Sequence, residues 1–170
     1  MTALFRKKIA GIAPYTAGDQ PSDRSYVKLN TNENPYPPSP KALEAYRSFD
    51  FGSLRLYPSL DMRALKEAIA KAEGVSPENV FCGNGSDEIL ALCMQTFFDP
   101  DGAGAAFADI TYSFYPVFCD FFSVPYTILP LEEDFSLDLE KLSALPAQGV
   151  LLANPNAPTG ISVPRADIEA

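Results

Sequence analysis

The stretch that decides the fold lies at residues 103–129 and has the sequence AGAAFADITYSFYPVFCDFFSVPYTIL. It begins with a short apolar run, Ala103–Ala108, which predicts a buried strand. An aromatic-rich helical segment, Ser113–Phe122, follows, and a second short strand is predicted at Tyr126–Leu129. A strand, a helix and a further strand in this order favour two parallel strands joined by a helical crossover.

The same alternation of strands and helices continues on both sides of this stretch. Met62, Leu65, Ile69 and Ala72 recur at helical spacing, and Gly74 is placed to end that helix. Four strand–helix alternations predict an α/β domain whose strands are mostly parallel, with helices on both faces of the sheet. The other predicted elements are the short strand Tyr26–Leu29, a helix from Pro40 through Tyr46, the extended segment Leu54–Tyr57, the strand Asn79–Cys82, the helix Asp87–Phe98 capped by Ser86, the helix Asp138–Leu145 and the strand Val150–Ala153.

Two segments flank this regular part of the chain. Residues 1–40 hold six of the sixteen prolines and predict an irregular N-terminal arm, whereas residues 41–170 predict the first part of a larger α/β domain. Towards the other end, Ser162 suits an N-cap and Pro164 a first helical turn, so a helix is expected to begin there. Because that helix would be cut within its second turn, we expect the chain to be truncated.

The composition excludes several classes of protein. Apolar residues make up 46% and charged residues 21% of the 170 residues, which is typical of a globular chain rather than a disordered one. The net charge of -9 disfavours general nucleic-acid binding, because an acidic surface repels phosphate backbones. Histidine is absent, which excludes a Ser-His-Asp triad and any histidine-ligated metal within this chain.

The cysteines and the apolar stretches bear on location. Cys82, Cys93 and Cys119 are widely spaced and predict reduced thiols in a core. A reactive thiol is the alternative interpretation, but the chain has no histidine to activate one. No stretch approaches the roughly 18 apolar residues of a membrane span, and the apolar stretch after the basic residues 6–8 is too short for a signal peptide. We therefore expect a cytoplasmic protein without membrane or nucleic-acid partners.

Three turns lie where predicted strands end and helices begin, which is where α/β domains bind ligands. The first, Gly83–Glu88, brings two glycines to the start of a helix, where free N–H groups form an anion site. The simpler interpretation is a tight turn before a capped helix, with Asp87 and Glu88 favouring the helix dipole. A dinucleotide fingerprint would need a third glycine where Glu88 stands, and a Walker A loop would need a Gly-Lys-Ser/Thr ending.

The second and third turns carry aromatic and amide side chains. Tyr112 follows the predicted strand at the same edge as the glycines, so its ring is placed either to stack on a flat cofactor or to pack in the core. Core packing is the better interpretation for Phe114, Tyr115 and Phe118. The turn Asn154–Gly160 follows the fourth strand and either aims amide groups at a ligand or serves as a rigid loop.

Together, the three turns resemble those of the fold type I, aspartate-aminotransferase-like enzymes, which use pyridoxal 5′-phosphate (PLP). The chain is most similar to histidinol-phosphate aminotransferases, and further matches are Ala13–Tyr15, Leu29–Pro35 and Arg55–Pro58. The resemblance covers nearly all of the chain but only the first half of the family's usual length. It implies a three-layer α/β/α PLP-dependent transferase fold, a homodimer, and transfer of an amino group between histidinol phosphate and 2-oxoglutarate in histidine biosynthesis.

The resemblance implies a set of cofactor-binding residues, carried over one position at a time. Gly85, Ser86 and Asp87 would hold the cofactor phosphate through backbone N–H groups and the Ser86 hydroxyl. Tyr112 would stack on the pyridine ring. Tyr57 would reach across a dimer interface to the partner's cofactor phosphate.

The same resemblance implies substrate contacts and one departure from the family pattern. Tyr15 and Asn32 would help to line the substrate pocket. The family's turn has two asparagines before Pro-Thr-Gly, and the second one bonds to the ring hydroxyl of the cofactor. Here that position is Ala157, so Asn156 or Asn154 substitutes for it, or the hydrogen bond is missing.

The resemblance also implies that catalytic groups are absent from this chain. The family's Schiff-base lysine, the aspartate beside the pyridine nitrogen and the phosphate-binding arginines correspond to positions beyond residue 170. We therefore expect no catalytic residue here and no activity from the chain alone. Ser25–Lys28 has the Ser-x-x-Lys spacing, but it falls in the arm and is treated as coincidence. Two alternatives stay open: another fold type I enzyme, such as a threonine-phosphate decarboxylase or other aminotransferase, and a non-catalytic α/β binding module.

Overall fold

The computed structural model describes residues 4, 7–12, 18–19 and 25–169. They form two compact units: a sheet unit, with residues 4, 7–12 and 83–169, and a helical unit, with residues 18–19 and 25–82. The helices are α1 (Lys7–Ala10), α2 (Pro40–Arg47), α3 (Arg63–Glu73), α4 (Gly85–Phe97), α5 (Phe114–Phe122), α6 (Leu139–Ser143) and α7 (Arg165–Glu169), the 3₁₀ helices are Phe51–Arg55 and Pro77–Asn79, and the strands are β1 (Ala105–Ala108), β2 (Tyr126–Leu129) and β3 (Gly149–Val150). Within the described part of the chain, none of these helices is long and apolar enough to cross a membrane.

The described strands of the sheet unit form one parallel sheet in the order β2–β1–β3. Ala105 pairs with Tyr126 on one side and with Gly149 on the other, so β1 is the central strand. All four residues of β1 are buried, and three of them are alanines, whose small side chains let helices pack closely. The strands predicted at residues 103–108 and 126–129, and their parallel arrangement, are therefore confirmed.

Helices cover both faces of this sheet. On one face, Met94 of α4 and Cys119 of α5 belong to the same core as Phe107, and all three side chains are almost fully buried. On the other face, Leu142 of α6 forms a core with Ala106. Successive residues of a strand point to opposite faces, so neighbouring residues of β1 supply two separate cores. The predicted fold class, an α/β domain with three layers, is confirmed.

The helical unit shows local order but little buried surface. The Ser39 hydroxyl caps α2 by accepting a hydrogen bond from the Ala42 N–H at 3.2 Å, and Pro40 occupies the first turn. Gly74 ends α3 in the left-handed conformation, with φ 70°, as predicted. Among the described residues of this unit, only Ala70 has a core-like burial.

The predicted strand Asn79–Cys82 is wrong. Pro77–Asn79 form a 3₁₀ turn, and residues 80–82 have no regular structure. A strand needs a neighbouring strand to satisfy its N–H and C=O groups, and no described strand pairs with this segment. Phe81 is 66% exposed, so the apolar run that suggested a strand has no sheet face that buries it.

Two extended segments predicted in the helical unit also differ from the structure. Tyr26–Leu29 forms no strand, again because no described strand pairs with it. Of the predicted segment Leu54–Tyr57, the first two residues belong to the 3₁₀ helix, whose N-terminus is capped by the Asp50 side chain. Leu56 is extended, with φ -94° and ψ 155°, so the prediction holds only close to the proline that motivated it.

Two elements of the sheet unit are shorter than predicted. The strand expected at Val150–Ala153 pairs only as β3, and its last ladder bond runs from the Leu151 N–H to the Ala106 carbonyl at 2.9 Å. Beyond that bond the chain leaves β1 for the next turn. The helix expected at Asp138–Leu145 is confirmed as α6, and the Asp138 side chain caps it by accepting from the Lys141 N–H at 2.9 Å.

Candidate functional site

Three turns of the sheet unit form the candidate site: the glycine turn (residues 83–88), the aromatic turn (109–115) and the asparagine–proline turn (154–160). Asp109, the residue after β1, anchors this edge of the sheet. Its carboxylate accepts hydrogen bonds from the N–H of Ile110 at 2.8 Å and from that of Leu131 at 3.0 Å. The position of an acidic residue directly after a buried strand is a sequence signal for this role. Its hydrogen-bond partner, the N–H of Leu131 after β2, is brought close only by the fold.

The two glycines of the glycine turn differ in what a side chain would meet at each position. Gly85 has φ 80°, a left-handed conformation that any side chain disfavours. At Gly83 an added Cβ would lie 2.7 Å from the Cδ1 atom of Ile89, so that side chain would have to shift to admit it. A Cβ at Gly85 would meet no heavy atom within 4 Å, so the approach to the backbone there is open.

Helix α4 begins at Gly85 with Asn84 as its N-cap, two residues before the predicted start at Asp87. The predicted capping role of Ser86 is therefore wrong. The Glu88 carboxylate accepts a hydrogen bond from the Asn84 N–H at 2.6 Å, which closes the first turn earlier than expected. Asn84 makes no side-chain cap bond, so its side chain does not occupy the N–H groups of that first turn. The Gly85 N–H donates to the carbonyl of Gly83 at 3.1 Å.

In the aromatic turn, Tyr112 is held by contacts at both ends of its side chain. Its hydroxyl donates a hydrogen bond to Oδ1 of Asp87 at 2.7 Å. Its ring meets that of Tyr115 edge to face, with 5.5 Å between centroids and an angle of 80° between planes. The Phe114 ring is tilted against it at 6.2 Å. The half-buried Tyr112 ring therefore links the aromatic turn to the start of α4.

Asn156 ties the asparagine–proline turn to the aromatic turn. Its Nδ2 group donates to the carbonyl of Ile110 at 2.8 Å and to the hydroxyl of Thr159 at 3.1 Å. Its Oδ1 accepts a hydrogen bond from the Thr111 hydroxyl at 2.7 Å. Both donor hydrogens of the amide are thus used within the protein. The sequence analysis did not identify the contacts that Thr111 and Thr159 make with Asn156. Thr111 is 45 residues from Asn156 along the chain, and Thr159 is three residues from it.

Asn154 and Ala157 are the two other positions considered for the hydrogen bond to the ring hydroxyl, and their contacts differ from those of Asn156. Asn154 exchanges two hydrogen bonds with the backbone of Val163, each at 2.9 Å, and these close the loop between them. Ala157 carries no polar group and faces a cavity. The peptide bonds before Pro155 and Pro158 are both cis.

This cavity is an open cleft of about 470 Å³ among the three turns. That volume lies within the 300–1,000 Å³ typical of small-molecule sites. Of the residues predicted to bind a cofactor, the structure brings Ser86 and Tyr112 to its wall, and Gly85 and Asp87 adjoin Ser86 in the chain. Its lining consists of Ser86, Ile89, Leu90, Tyr112, Tyr115, Ala153 and Ala157.

The titratable groups in the core under this cleft are neutral at physiological pH. Burial raises the pKa of the Tyr115 phenol above its ordinary value. Burial, together with the negative charge of Asp120, raises the pKa of the fully buried Cys119 thiol to about 11. Cys119 is therefore an inert core residue, as predicted, and Cys82 and Cys93 are half-buried free thiols. The described residues contain no cluster of three side chains able to hold a metal ion.

The remaining predicted site residues lie elsewhere in the chain. Tyr57 and Asn32 belong to the helical unit. The Tyr57 side chain is 99% exposed, and Asn32 is in the left-handed region with φ 51°. Tyr15 lies outside the described residues.

The parallel sheet covered by helices on both faces, with a cleft among the turns at one edge, defines an α/β domain of the fold type I transferase class. Residues 24–170 match the family described as aminotransferase class I and II, so the chain belongs to that family. This confirms the resemblance inferred from the three turns.

Individual relatives agree with this assignment. The chain is 48% identical to a histidinol-phosphate aminotransferase of Marinomonas sp. over 100% of its own length and 48% of that protein. It is 45% identical to the histidinol-phosphate aminotransferase of Syntrophus aciditrophicus over 98% of its length and 47% of that protein. A crystal structure of histidinol-phosphate aminotransferase from Sinorhizobium meliloti, in complex with pyridoxal-5′-phosphate, superimposes with a TM-score of 0.72 at 27% identity, over 81% of this chain and 38% of that one. The chain spans about half the length of the curated relatives it matches.

Proposed function

We propose that this chain supplies cofactor-binding residues to a PLP-dependent aminotransferase that acts on histidinol phosphate and 2-oxoglutarate. The observation that carries this proposal is the meeting of the glycine, aromatic and asparagine–proline turns at a single cleft. The identity of 45–48% to named histidinol-phosphate aminotransferases, over nearly all of the chain, supports the choice of substrate.

The residues of the cleft fit PLP in shape and in chemistry. The cofactor has a flat aromatic ring and a dianionic phosphate. The cleft offers the Tyr112 ring for the first and the start of α4 for the second. The open approach above Gly85 leaves room for an anion close to the backbone. Asp87 and Glu88 also lie in this first turn, but their carboxylates already accept hydrogen bonds from Tyr112 and Asn84.

In this proposal the phosphate is held by the N–H groups of Gly85, Ser86 and Asp87 and by the Ser86 hydroxyl. The Gly85 N–H, which donates to the Gly83 carbonyl at 3.1 Å, exchanges that bond for one to the phosphate. The helix dipole of α4 adds to the attraction. The Tyr112 ring stacks on the pyridine ring. Tyr57 binds the cofactor phosphate of a second subunit.

Two further parts of the proposal concern the ring hydroxyl and the substrate. The amide of Asn156 has both donor hydrogens engaged, so its role in cofactor binding would be limited to its one free acceptor site. Ala157 faces the cleft without a donor, so the ring hydroxyl would lack the amide bond that the resemblance places at that position. Tyr15 and Asn32 would line the substrate pocket.

The bound cofactor supplies an electron sink for the electrons of the substrate's α-carbon bond. The residues of this chain bind and orient: α4 holds the phosphate, Tyr112 sets the plane of the ring, and the apolar Ile89 and Leu90 exclude water from one side. No lysine is among the residues that line the cleft, in the part of the chain that the structure describes. The proton transfer at the α-carbon would therefore need a base from elsewhere in the enzyme.

The proposal extends to assembly, organisation and location. Tyr57 is almost completely exposed, which leaves its side chain accessible to a second subunit in a homodimer. Residues 1–40 would form an arm that contributes to a small domain and to dimer contacts, and residues 41–170 the first part of the large cofactor domain. The three free thiols support a location in the reducing cytoplasm.

Ligand titration tests the cofactor assignment. The chain would be titrated with PLP and, as a matched control, with pyridoxal, which lacks the phosphate. We expect weak but saturable binding of PLP and binding of pyridoxal weaker by at least about tenfold, because charge-assisted hydrogen bonds at the helix start are lost. Equal binding of the two ligands would contradict the assigned phosphate site. An absence of PLP binding would favour a non-catalytic α/β module.

Activity measurements test whether the chain alone can catalyse the reaction. The chain would be supplied with PLP, histidinol phosphate and 2-oxoglutarate, and glutamate formation would be followed. We expect none from the chain alone, because no lysine lines the cleft in the described residues. Turnover by the chain alone would overturn this part of the proposal. In the full-length enzyme, glutamate formation would identify the aminotransferase, and release of carbon dioxide from threonine phosphate would instead identify a fold type I decarboxylase.

A further inference from the structure

The Asp87 side chain makes a contact that its backbone role in phosphate binding does not explain. Its carboxylate accepts the Tyr112 hydroxyl at 2.7 Å, across 25 residues of sequence. An acidic residue in the first turn of a helix often satisfies the helix dipole. Here the same carboxylate also reaches the aromatic turn, so one residue connects the start of α4 to the ring proposed to stack on the cofactor.

Besides this hydrogen bond, Tyr112 is held through its neighbour Thr111 and through ring contacts. The backbone before it is anchored by the Thr111 hydroxyl, which donates to Asn156 on the asparagine–proline turn at 2.7 Å. The Tyr112 ring also contacts Tyr115 edge to face and Phe114 at a tilt. A hydrogen bond at the far end of the side chain restricts rotation about χ1 and χ2, which apolar ring contacts alone leave soft.

We infer that Asp87 is a positioning residue for Tyr112: its carboxylate fixes the plane of the ring before the cofactor arrives. Thr111 and Tyr112, neighbours in sequence, thereby tie the aromatic turn to the two other turns. Preorganisation of this kind reduces the conformational freedom lost on binding. The inference rests on the proposed function, since it assumes that a flat cofactor stacks on this ring.

Variants at residue 87 separate the effect of the hydrogen-bond acceptor from the effect of the negative charge. Asp87→Ala and Asp87→Asn both remove a negative charge from the first turn of α4, so they change its attraction for an anion by the same amount. Only Asn keeps an oxygen that can accept the Tyr112 hydroxyl. Tyr112→Phe removes the donor from the other side and keeps the ring. The double variant Asp87→Ala/Tyr112→Phe completes a thermodynamic cycle.

Two probes, PLP and inorganic phosphate, separate ring positioning from damage to the helix start. We expect PLP to bind Asp87→Ala about three- to tenfold more weakly than Asp87→Asn, in line with one hydrogen bond. Tyr112→Phe should lose a similar factor relative to the unmodified chain, and the double variant should lose no more than either single change. Inorganic phosphate has no ring, so it should bind Asp87→Ala and Asp87→Asn equally.

A spectroscopic readout distinguishes positioning from general stability. The circular dichroism that the protein induces in the absorption band of bound PLP depends on the orientation of neighbouring aromatic rings. We expect that band to change in Asp87→Ala and in Tyr112→Phe, while Asp87→Asn retains the band of the unmodified chain. Thermal unfolding of each variant identifies any change that merely unfolds the sheet unit.

The outcomes that overturn the inference are specific. Equal PLP affinity of Asp87→Ala and Asp87→Asn would show that the acceptor oxygen does not matter. Additive losses in the double variant would show that the two groups act independently. If inorganic phosphate distinguishes Asp87→Ala from Asp87→Asn as strongly as PLP does, the bond supports the helix start and not the ring. If the unmodified chain binds no PLP, the proposed function fails first, and that result is visible before any variant is compared.

Discussion

The sheet unit and the helical unit differ in where they place their apolar side chains. In the sheet unit, Phe107 is 2% exposed and belongs to a core that both α4 and α5 help to form. In the helical unit, Tyr57 is 99% and Leu60 is 98% exposed. A central strand gives the sheet unit two faces on which helices bury apolar surface. The described residues of the helical unit contain helices but no strand, and these two apolar side chains are left exposed. Apolar composition alone therefore does not produce a core.

This difference bears on where function is found. The cleft of the sheet unit stands on buried elements, so its polar contacts are held in place by packing below them. The predicted residues of the helical unit, Tyr57 and Asn32, have no such support within the described residues of their own unit. Their proposed roles involve a second subunit or a substrate, and therefore depend on surfaces outside the unit itself.

The largest expected effect tests the core directly, with one phenylalanine from each unit. Phe107→Ala should reduce the free energy of unfolding by about 3–5 kcal/mol, because it leaves a cavity between β1 and the helices. Phe81→Ala removes the same side chain from a position that is 66% exposed and should cost less than about 1 kcal/mol. Urea unfolding followed by circular dichroism measures both values. Similar losses of unfolding free energy for the two variants would show that the two units do not differ in how they bury apolar side chains.

A second prediction uses pH to sharpen the description of the buried core. The pKa of Cys119 is raised from 9.0 to about 11, so between these values the unfolded chain loses its thiol proton while the folded chain keeps it. Stability is therefore fully present below about pH 9 and is lost as the pH rises towards 11, by at most about 2–3 kcal/mol. Burial raises the pKa of Tyr115 in the same sense, so Cys119→Ala should flatten this pH dependence without removing it.

Unfolding free energies measured at intervals from neutral pH to pH 11 provide the check. The slope should be negative for the unmodified chain and smaller in magnitude for Cys119→Ala. A thiol reagent applied to the folded chain at pH 8 should leave Cys119 unmodified. Modification of Cys119 without unfolding would show that this core is open to solvent.

A third prediction concerns the polar contacts above the core. Thr111→Val removes the hydroxyl that donates to Asn156, in a half-buried position, and should cost about 1–2 kcal/mol in unfolding free energy. Thr96→Val is the matched control, because the Thr96 hydroxyl bonds only to a carbonyl of its own helix on an exposed face. Thermal unfolding of the two variants compares them. Equal effects would mean that the link between the aromatic and asparagine–proline turns adds nothing to stability.

The smallest expected effect is at the wall of the cleft. Ala157→Asn places an amide where the cleft has an apolar wall, and should tighten PLP binding by about three- to tenfold if one hydrogen bond to the ring hydroxyl forms. Ala144→Asn, at the exposed end of α6, makes the same change away from the cleft and should leave the affinity unaltered. PLP titration measures both. Weaker binding by Ala157→Asn would indicate that the added side chain occupies the space the cofactor needs.

Local patterns predicted much of the sheet unit. Among its elements, the small, apolar run of β1 and the helical segment of α4 are properties of short stretches, and the structure contains both. In the helical unit, the helical spacing of α3 and its end at Gly74 were predicted in the same way. The three turns were recognisable for the same reason, because glycine, proline and asparagine each favour turn conformations of the local backbone. The family followed from their order along the chain.

The same local patterns could not predict which distant residues pair with each other. Asn79–Cys82 has the residues of a strand, but strand formation depends on a neighbour that the sequence of the segment does not specify. The N-cap of α4, Asn84, donates its N–H to the carboxylate of Glu88, four positions further on. The engagement of Asn156 with Thr111, and of Asp87 with Tyr112, joins residues that are 45 and 25 positions apart.

By itself, then, the sequence determined the fold class, the family, and the residue types at the three turns, since these depend on local backbone preference and on the order of motifs. Only the tertiary structure decided which of those residues share a cleft, which amides are already satisfied, and which apolar side chains are buried. The physical reason is that hydrogen bonding and burial are properties of pairs and neighbourhoods brought together by the parallel sheet, and the separation of those partners along the chain carries no local signal.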